Sequence, residues 1–325
     1  MINKPEKLKK GDEVRVVATS RSLKLIGAET REIAEKRFAE LGLKLTFGKH
    51  TMEENADMFI SDSIENRASD VMEAFADKNV KAIFTVIGGF NSNQLLKYLD
   101  YDIIAKNPKI FCGFSDVTAI ANAIHEKGNM VVYYGPHYSS LGMLKGCEYT
   151  LKNMVKMLME DGEVDCKASK EWSDDLWFLD QQNRTMIENE GYWLIHNGKA
   201  KGVIEGGNMC TYILLNGTEY RHKFTEDTIL FLEDDEMSSA VEFDRMLQAV
   251  MHQPDFHHVK GIVIGRFQKA SKVTREQLEY VINTKKELLN IPVLANVDFG
   301  HTTPILTIPF GGLAELNGKE LKIIG

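Results

Sequence analysis

The chain has 325 residues, 43% hydrophobic and 26% charged, the composition of a soluble globular protein long enough for two domains. A net charge of −8 with no Lys/Arg-rich block argues against a nucleic-acid partner or an anionic membrane surface. The opening residues, MINKPEKLKKGDEV, lack the apolar core of a signal peptide, and no apolar run reaches the roughly 18 residues that would suggest a membrane span, so a cytoplasmic location is expected. Cys112, Cys147, Cys166 and Cys210 show no C-x-x-C spacing, which suits unpaired thiols in a reducing compartment better than disulfides or zinc.

In chain order, Glu13–Ser20 reads as a strand after a Gly-Asp turn, Ala28–Leu41 as a helix stopped by Gly42, and Leu43–Phe47 as a second strand. Ser61 or Ser63 caps a helix running to about Asp77. Val80–Ile87 is a buried strand ending at Gly88-Gly89, and Asn93–Leu99 is helical. Lys109–Cys112 is a short strand, a helix starts at Asp116, and Met130–Tyr134 is a further strand. This alternation predicts a mainly parallel, flavodoxin-like sheet with flanking helices, whose ligands gather at the carboxyl ends of the strands. Tyr149–Glu160 closes this N-terminal domain, taken as residues 1–162.

Residues 163–190 are polar, aromatic and weakly periodic, and are read as a linker and substrate-facing loop, with Trp172, Trp177 and Phe178 arguing against disorder. Residues 191–325 form a β-rich α/β domain. Tyr192–Ile195 and Lys201–Ile204 read as strands around an Asn197-Gly198 turn, and Gly206-Gly207-Asn208 opens a short helix. Thr228–Leu232 is a strand ending at Glu233, Ser239–Val250 an amphipathic helix, and Gly261–Ile264 another strand. Thr274–Leu289 reads as one long helix, Val293–Phe299 as a strand ending at Gly300-His301, and Asn317-Gly318 as a hairpin turn.

The stretch KIFCGFSDVTAIANAIHE, Lys109–Glu126, has the most chemical content. A strand turning sharply into a helix lifts Ser115 clear of the sheet and aims the first helical N–H groups beside it, which suits a nucleophile and its oxyanion. A plain N-cap with Asp116 favouring the helix dipole fits the same residues. Cys112, inside the strand, reads as a core thiol rather than the nucleophile.

A serine nucleophile needs a base and the base an orienting carboxylate. Of nine histidines, His301 follows a strand directly in a tight loop, although a solvated loop histidine reads the same way. Glu233 ends its strand ahead of Asp234, Asp235 and Glu236; either the run is a solvated acidic loop, or Glu233 is held rigidly while its neighbours face water. The group His252, His257 and His258 matches no metal motif and reads as an exposed helix end, and no phosphate-binding glycine loop follows any strand. Neither a metal nor a cofactor is expected.

Six segments in order, GDEVRVVATS, IGGFNSNQLL, GFSD, GGN, LFLED and GHTTP, make the chain resemble the LD-carboxypeptidase family of serine peptidases, and more closely its microcin C self-immunity branch. The resemblance implies Ser115 as nucleophile, His301 as general base and Glu233 as orienting acid, with an oxyanion hole from the N–H groups of Asp116 and of the Gly88-Gly89 turn. It implies a peptidyl- or aminoacyl-nucleotide substrate, a loop tryptophan stacked on the nucleobase (Trp177 first, Trp172 second), help from Asn208, and a homodimer. Ile87 stands where murein-trimming relatives usually carry an arginine, and EWSDDLWF is typical of the immunity branch. A murein tetrapeptide LD-carboxypeptidase is the neighbouring alternative, and a non-catalytic binding protein the more distant one.

Overall fold

The computed structural model describes residues 2–52 and 57–324. In the first half, strands β1 (Glu13–Val17), β2 (Lys44–Phe47), β3 (Val80–Thr85), β4 (Ile110–Gly113) and β5 (Val132–Tyr134) alternate with helices. The longer of these helices are α1 (Ala28–Glu40), α2 (Ile64–Ala76), α4 (Thr118–Gly128) and α5 (Glu148–Met159), with the short α3 (Tyr101–Lys106) between. All pairings among β1–β5 are parallel, so each crossover helix covers a face, and β3 and β4 are almost wholly apolar and buried. Ser63 caps α2 by accepting from the Asn66 N–H.

The second half contributes β6 (Val164–Asp165), β7 (Glu171–Trp172), β8 (Ile187–Glu188), β9 (Trp193–His196), β10 (Lys199–Asn208), β11 (Thr228–Glu233), β12 (Val259–Gly265), β13 (Val293–Val297), β14 (Ile308–Phe310), β15 (Leu313–Asn317) and β16 (Glu320–Ile324). Its helices are α6 (Met209–Tyr212), α7 (Ala240–Met251) and α8 (Arg275–Asn283). Two main sheets result, ordered β14-β5-β4-β3-β1-β2 and β6-β16-β15-β10-β11-β12-β13-β9. β10 to β13 run parallel, and antiparallel strands complete both flanks of the second sheet. The architecture is the mixed α/β fold expected. No helix of the described residues is long and apolar enough to cross a membrane.

Local geometry departs from expectation in three places. β9 and β10 do not pair around Asn197-Gly198; β9 pairs with β13 at the far edge, held there by His196, whose ring nitrogens meet Leu288 O and Asn283 Oδ1. β10 runs through Gly206 and Gly207 to Asn208, at φ +129° and +131°, because the strand must pass close to β11 and α4. A Cβ on Gly206 would lie 2.0 Å from the Phe231 carbonyl oxygen. The expected long helix from Thr274 breaks after Asn283, where Lys285 turns inward to Asp244 and the Val281 carbonyl, and a 3-10 turn over Lys286–Leu288 follows.

The contact of α4 on β10 carries a prediction. A Cβ on Gly207 would lie 2.6 Å from Thr118 Cγ2, so Gly207→Ala overpacks this joint besides straining φ. We expect a loss of about 1–3 kcal/mol or more in urea unfolding; an unchanged midpoint would show that the joint is slack.

Candidate active site

β4 ends at Gly113, where a Cβ would lie 2.2 Å from Thr85 Oγ1. Phe114 is extended, and Ser115 takes φ +63°, a left-handed conformation that non-glycine residues rarely adopt and that costs about 1–3 kcal/mol. One 3-10 turn later α4 begins. Ser115 does not cap the helix. Its hydroxyl instead meets His301 Nε2 at 2.9 Å, and His301 Nδ1 meets Glu233 Oε2 at 2.7 Å. Because the carboxylate only accepts, Nδ1 carries the proton and Nε2 presents its lone pair to the serine. The structure therefore joins three residues far apart in sequence in one hydrogen-bonded line.

Each member is set by its element. Glu233 ends β11 and is fully buried. Gly265 and Gly300 make room for it: a Cβ would stand 2.6 Å from Glu233 Cβ at the first, and 2.3 Å from Oε2 at the second, which also has φ +105°. The Tyr134 hydroxyl donates to Glu233 Oε1 and accepts the Ser115 N–H at 3.0 Å. Burial opposes the charged imidazole of His301, but the Glu233 carboxylate, with Asp235 and Asp234 behind it, outweighs burial and raises its pKa above the ordinary 6.5.

Asp234 corrects an expectation. It does not face water but is 1% exposed, and burial first, then Glu233, raise its pKa to about 6. Asn208 is also buried. Its carboxamide oxygen accepts from the Thr211 N–H and hydroxyl, capping α6, and its Nδ2 donates to Asp234 at 3.2 Å. Its visible work is thus to hold the acidic turn beside Glu233.

The oxyanion candidates flank the hydroxyl. A Cβ on Gly88 would lie 3.1 Å from Ser115 Oγ, whereas Gly89 backs onto Ser20 and Arg21. The Asp116 N–H sits in the opening turn, where helices leave amides without an internal acceptor. The Asp116 carboxylate is buried and accepts the N–H groups of Asn91 and Ser92, tying the glycine turn to the serine turn.

Trp177 and His301 line one cavity of ≈ 70 Å³ together with Phe114, Gly300 and Thr302. Trp172 lies elsewhere, its ring facing the Arg266 guanidinium at 5.1 Å and the Lys269 ammonium at 5.5 Å. Ser173 exchanges backbone hydrogen bonds with Thr303, so the 163–190 loop is fastened to the histidine loop. Cys112 is fully buried with its thiol pKa driven far up by burial, a core residue as expected. His257 and His258 lie beside each other after α7, as expected.

Two site residues had no signal in the sequence. Tyr134 resembles any strand tyrosine until its hydroxyl is placed. His137 stacks on Phe114 at 4.3 Å, with Nδ1 2.6 Å from Thr85 Oγ1 and Nε2 buried without a partner; burial and then the neighbouring His301 lower its pKa to about 3, so it stays neutral.

The LD-carboxypeptidase N-terminal domain matches residues 14–135 and its C-terminal domain residues 201–316. YocD of Bacillus subtilis, a carboxypeptidase by name, is 49% identical over 310 residues, covering 95% of this chain and 94% of YocD. The microcin C7 self-immunity protein MccF of Escherichia coli is 31% identical over 283 residues, covering 83% and 80%; a structure of MccF with glutamyl sulfamoyl guanosine superposes with a TM-score of 0.88. The crystal structure of an MccF-like protein from Bacillus anthracis gives a TM-score of 0.96 at 49% identity, covering 99% of both chains.

Fold and comparisons together define a serine peptidase-type hydrolase. The chain belongs to the LD-carboxypeptidase family, and its structural neighbours are MccF and MccF-like proteins.

Gly300→Ala tests the packing around the acid. The methyl group would enter the space of Glu233 Oε2 and displace the carboxylate from His301. We expect kcat/KM to fall by about 10²-fold or more in a hydrolysis assay, as misplacement on the order of 1 Å does; wild-type turnover would show that the Glu233–His301 contact does not matter.

Proposed function

We propose that Ser115 is the nucleophile, His301 the general base and Glu233 its orienting acid, and that they cleave the bond between a C-terminal aspartyl-type residue and a nucleotide moiety. The observation that carries this reading is the line of two hydrogen bonds, 2.9 and 2.7 Å, from hydroxyl to imidazole to carboxylate. Ser115 Oγ adds to the amide or acyl-phosphoramidate carbonyl while His301 Nε2 takes its proton, and the imidazolium is stabilised by Glu233. The developing oxyanion is met by the Asp116 N–H and the glycine turn, of which Gly88 is the nearer member. His301 returns the proton to the leaving nitrogen, and water then releases the acyl group from Ser115.

Three features support a nucleotide-bearing substrate over a murein peptide. MccF is solved with aspartyl sulfamoyl adenosine and with glutamyl sulfamoyl guanosine. Ile87, half-buried against the core, supplies no cation before the glycine pair. Trp177 stands on the His301 side, where a base could stack on it for roughly 1–3 kcal/mol, while the ring of Trp172 is engaged by two cations. A cytoplasmic homodimer is part of the same reading.

Purified protein incubated with an aspartyl-adenylate analogue and with a murein tetrapeptide separates the substrates; preferential tetrapeptide cleavage would overturn the nucleotide assignment. Ser115→Ala should fold and lose at least about 10⁴-fold in kcat. Trp177→Ala should weaken the adenylate analogue alone.

A pH prediction follows from the base. Catalysis needs neutral His301, whose pKa is raised, so kcat/KM should climb with pH through a midpoint above 6.5. Asp235→Asn removes one charge that raises it and should move the midpoint down. A midpoint at or below 6.5 in wild type would contradict the carboxylate's hold on the base.

A further inference from the structure

Three side chains from unrelated parts of the sequence meet where α4 lies on β10. His125 Nε2, in the last turn of α4, lies 2.8 Å from Glu205 Oε1 on β10. His222 Nε2, from the segment before β11, lies 3.4 Å from the same oxygen, and the two rings lie 4.3 Å apart at 44°. The ligand atoms are all within 4.8 Å of one another. His125 and Glu205 are buried, while His222 keeps about a fifth of its side chain exposed, leaving an entry path.

One extra proton on His125 would satisfy that ring's own two contacts, but it would leave other buried atoms of the cluster unpaired. His125 Nδ1 faces the Met130 carbonyl at 3.0 Å and so carries a proton; a neutral ring then turns the Nε2 lone pair to the carboxylate, and a charged ring donates to it. His222 Nδ1 lies 2.9 Å from Glu126 Oε2 but makes no hydrogen bond to it, and is itself a buried atom without a partner. Protonating both rings would set two imidazolium ions against each other at 4.3 Å. Glu205 Oε2 is buried and has no partner at all.

We propose that His125, Glu205 and His222 form a site for a first-row divalent cation, best matched by Zn²⁺ with water in the fourth position. One ion would take both Nε2 lone pairs and the carboxylate. The outer Nδ1–H of His125 would then donate to Met130 O, and Glu126 Oε2 lies 2.9 Å from His222 Nδ1, within reach of the same role. Four-coordinate zinc with bonds of about 2.0–2.1 Å spaces its ligand atoms about 3.3–3.5 Å apart; His222 Nε2 stands at 3.4 Å from Glu205 Oε1, and His125 Nε2 would move outward from 2.8 Å. Two imidazoles and a carboxylate suit zinc and its neighbours rather than calcium or magnesium. The site lies about 15 Å along the helix from Ser115, at 1.5 Å per residue, and is separate from the hydrolytic line. It would pin α4, which the nucleophile turn leads into, to the second sheet.

The test uses the full chain stripped with chelator, then titrated with ZnCl₂ by calorimetry and melted with and without the metal. One equivalent should bind and raise the melting temperature. His222→Gln should weaken binding at least about tenfold and abolish the rise. Cys210→Ala, lacking the surface thiol, and the double variant His257→Gln/His258→Gln should behave as wild type. No binding by the stripped chain, or equal binding by His222→Gln, overturns the proposal and leaves the cluster a hydrogen-bonded ion group. Should His222→Gln not fold, CoCl₂ added to the wild-type chain decides: the intense visible bands of four-coordinate cobalt support the site, and their absence overturns it.

Discussion

One buried phenol holds the reactive geometry together. Tyr134, on the first sheet, accepts the N–H of Ser115 and donates to the carboxylate of Glu233, on the second. Burial and then the adjacent carboxylate push its pKa well up, so it remains a donor across the working pH range. Phe299 and Phe310 pack on its ring at 4.9 and 5.4 Å and fix where the hydroxyl points. In its left-handed backbone conformation the Ser115 amide is held by its bond to this hydroxyl. Since that amide is spent on Tyr134, it is not among the donors of the proposed oxyanion hole, which are the Asp116 N–H and the glycine turn.

The glycine turn is held with equal care. Arg67, 2% exposed, donates to the carbonyls of Thr19 and Asn91 and to Gln94 Oε1, while Ser20 donates to Asn91 Oδ1. Asp116 closes the ring by accepting from Asn91 and Ser92. A buried guanidinium and a buried carboxylate thus share one loop, and removing either would leave several backbone groups unpaired. Under the proposed mechanism this bracing would keep the turn's N–H groups aimed at a charge that exists only during reaction.

Legibility in the sequence followed how local each signal was. Strands β3 and β4, the capped helix α2 and the Asn317-Gly318 hairpin were readable because apolar runs, caps and turns act over a few residues. Ser115, Glu233 and His301 could be singled out one at a time as small, acidic and basic residues at strand ends, but their convergence depends on sheet order, which no local pattern encodes. The false hairpin between β9 and β10 has the same origin: a good turn sequence was read as pairing, while the long-range sheet order placed β9 on β13. Tyr134, His137 and the meeting of His125, Glu205 and His222 were invisible for that reason. The burial of Asp234 leaves no mark in the sequence, since a run of acids looks solvated until packing buries one of them.

Ser115 comes from the first sheet and Glu233 and His301 from the second, an arrangement that would be fragile if the two could drift. Instead the chain weaves them together. β14, past His301, crosses back to pair antiparallel with β5 beside Tyr134, and β6 joins the second sheet through β16. The chain that carries His301 therefore also supplies an edge strand to the sheet that carries Ser115, and Gly311 and Gly312 return it to the second sheet by backbone bonds with Ile204. Separating the halves would break main-chain ladders as well as side-chain packing, a cost far above thermal energy. The 2.9 Å contact between hydroxyl and imidazole is accordingly a property of the resting protein, and needs no closure to form it. In the proposed reading, adaptation to a substrate falls to the 163–190 loop, which carries Trp177 and is fastened at Thr303 to the turn that presents His301.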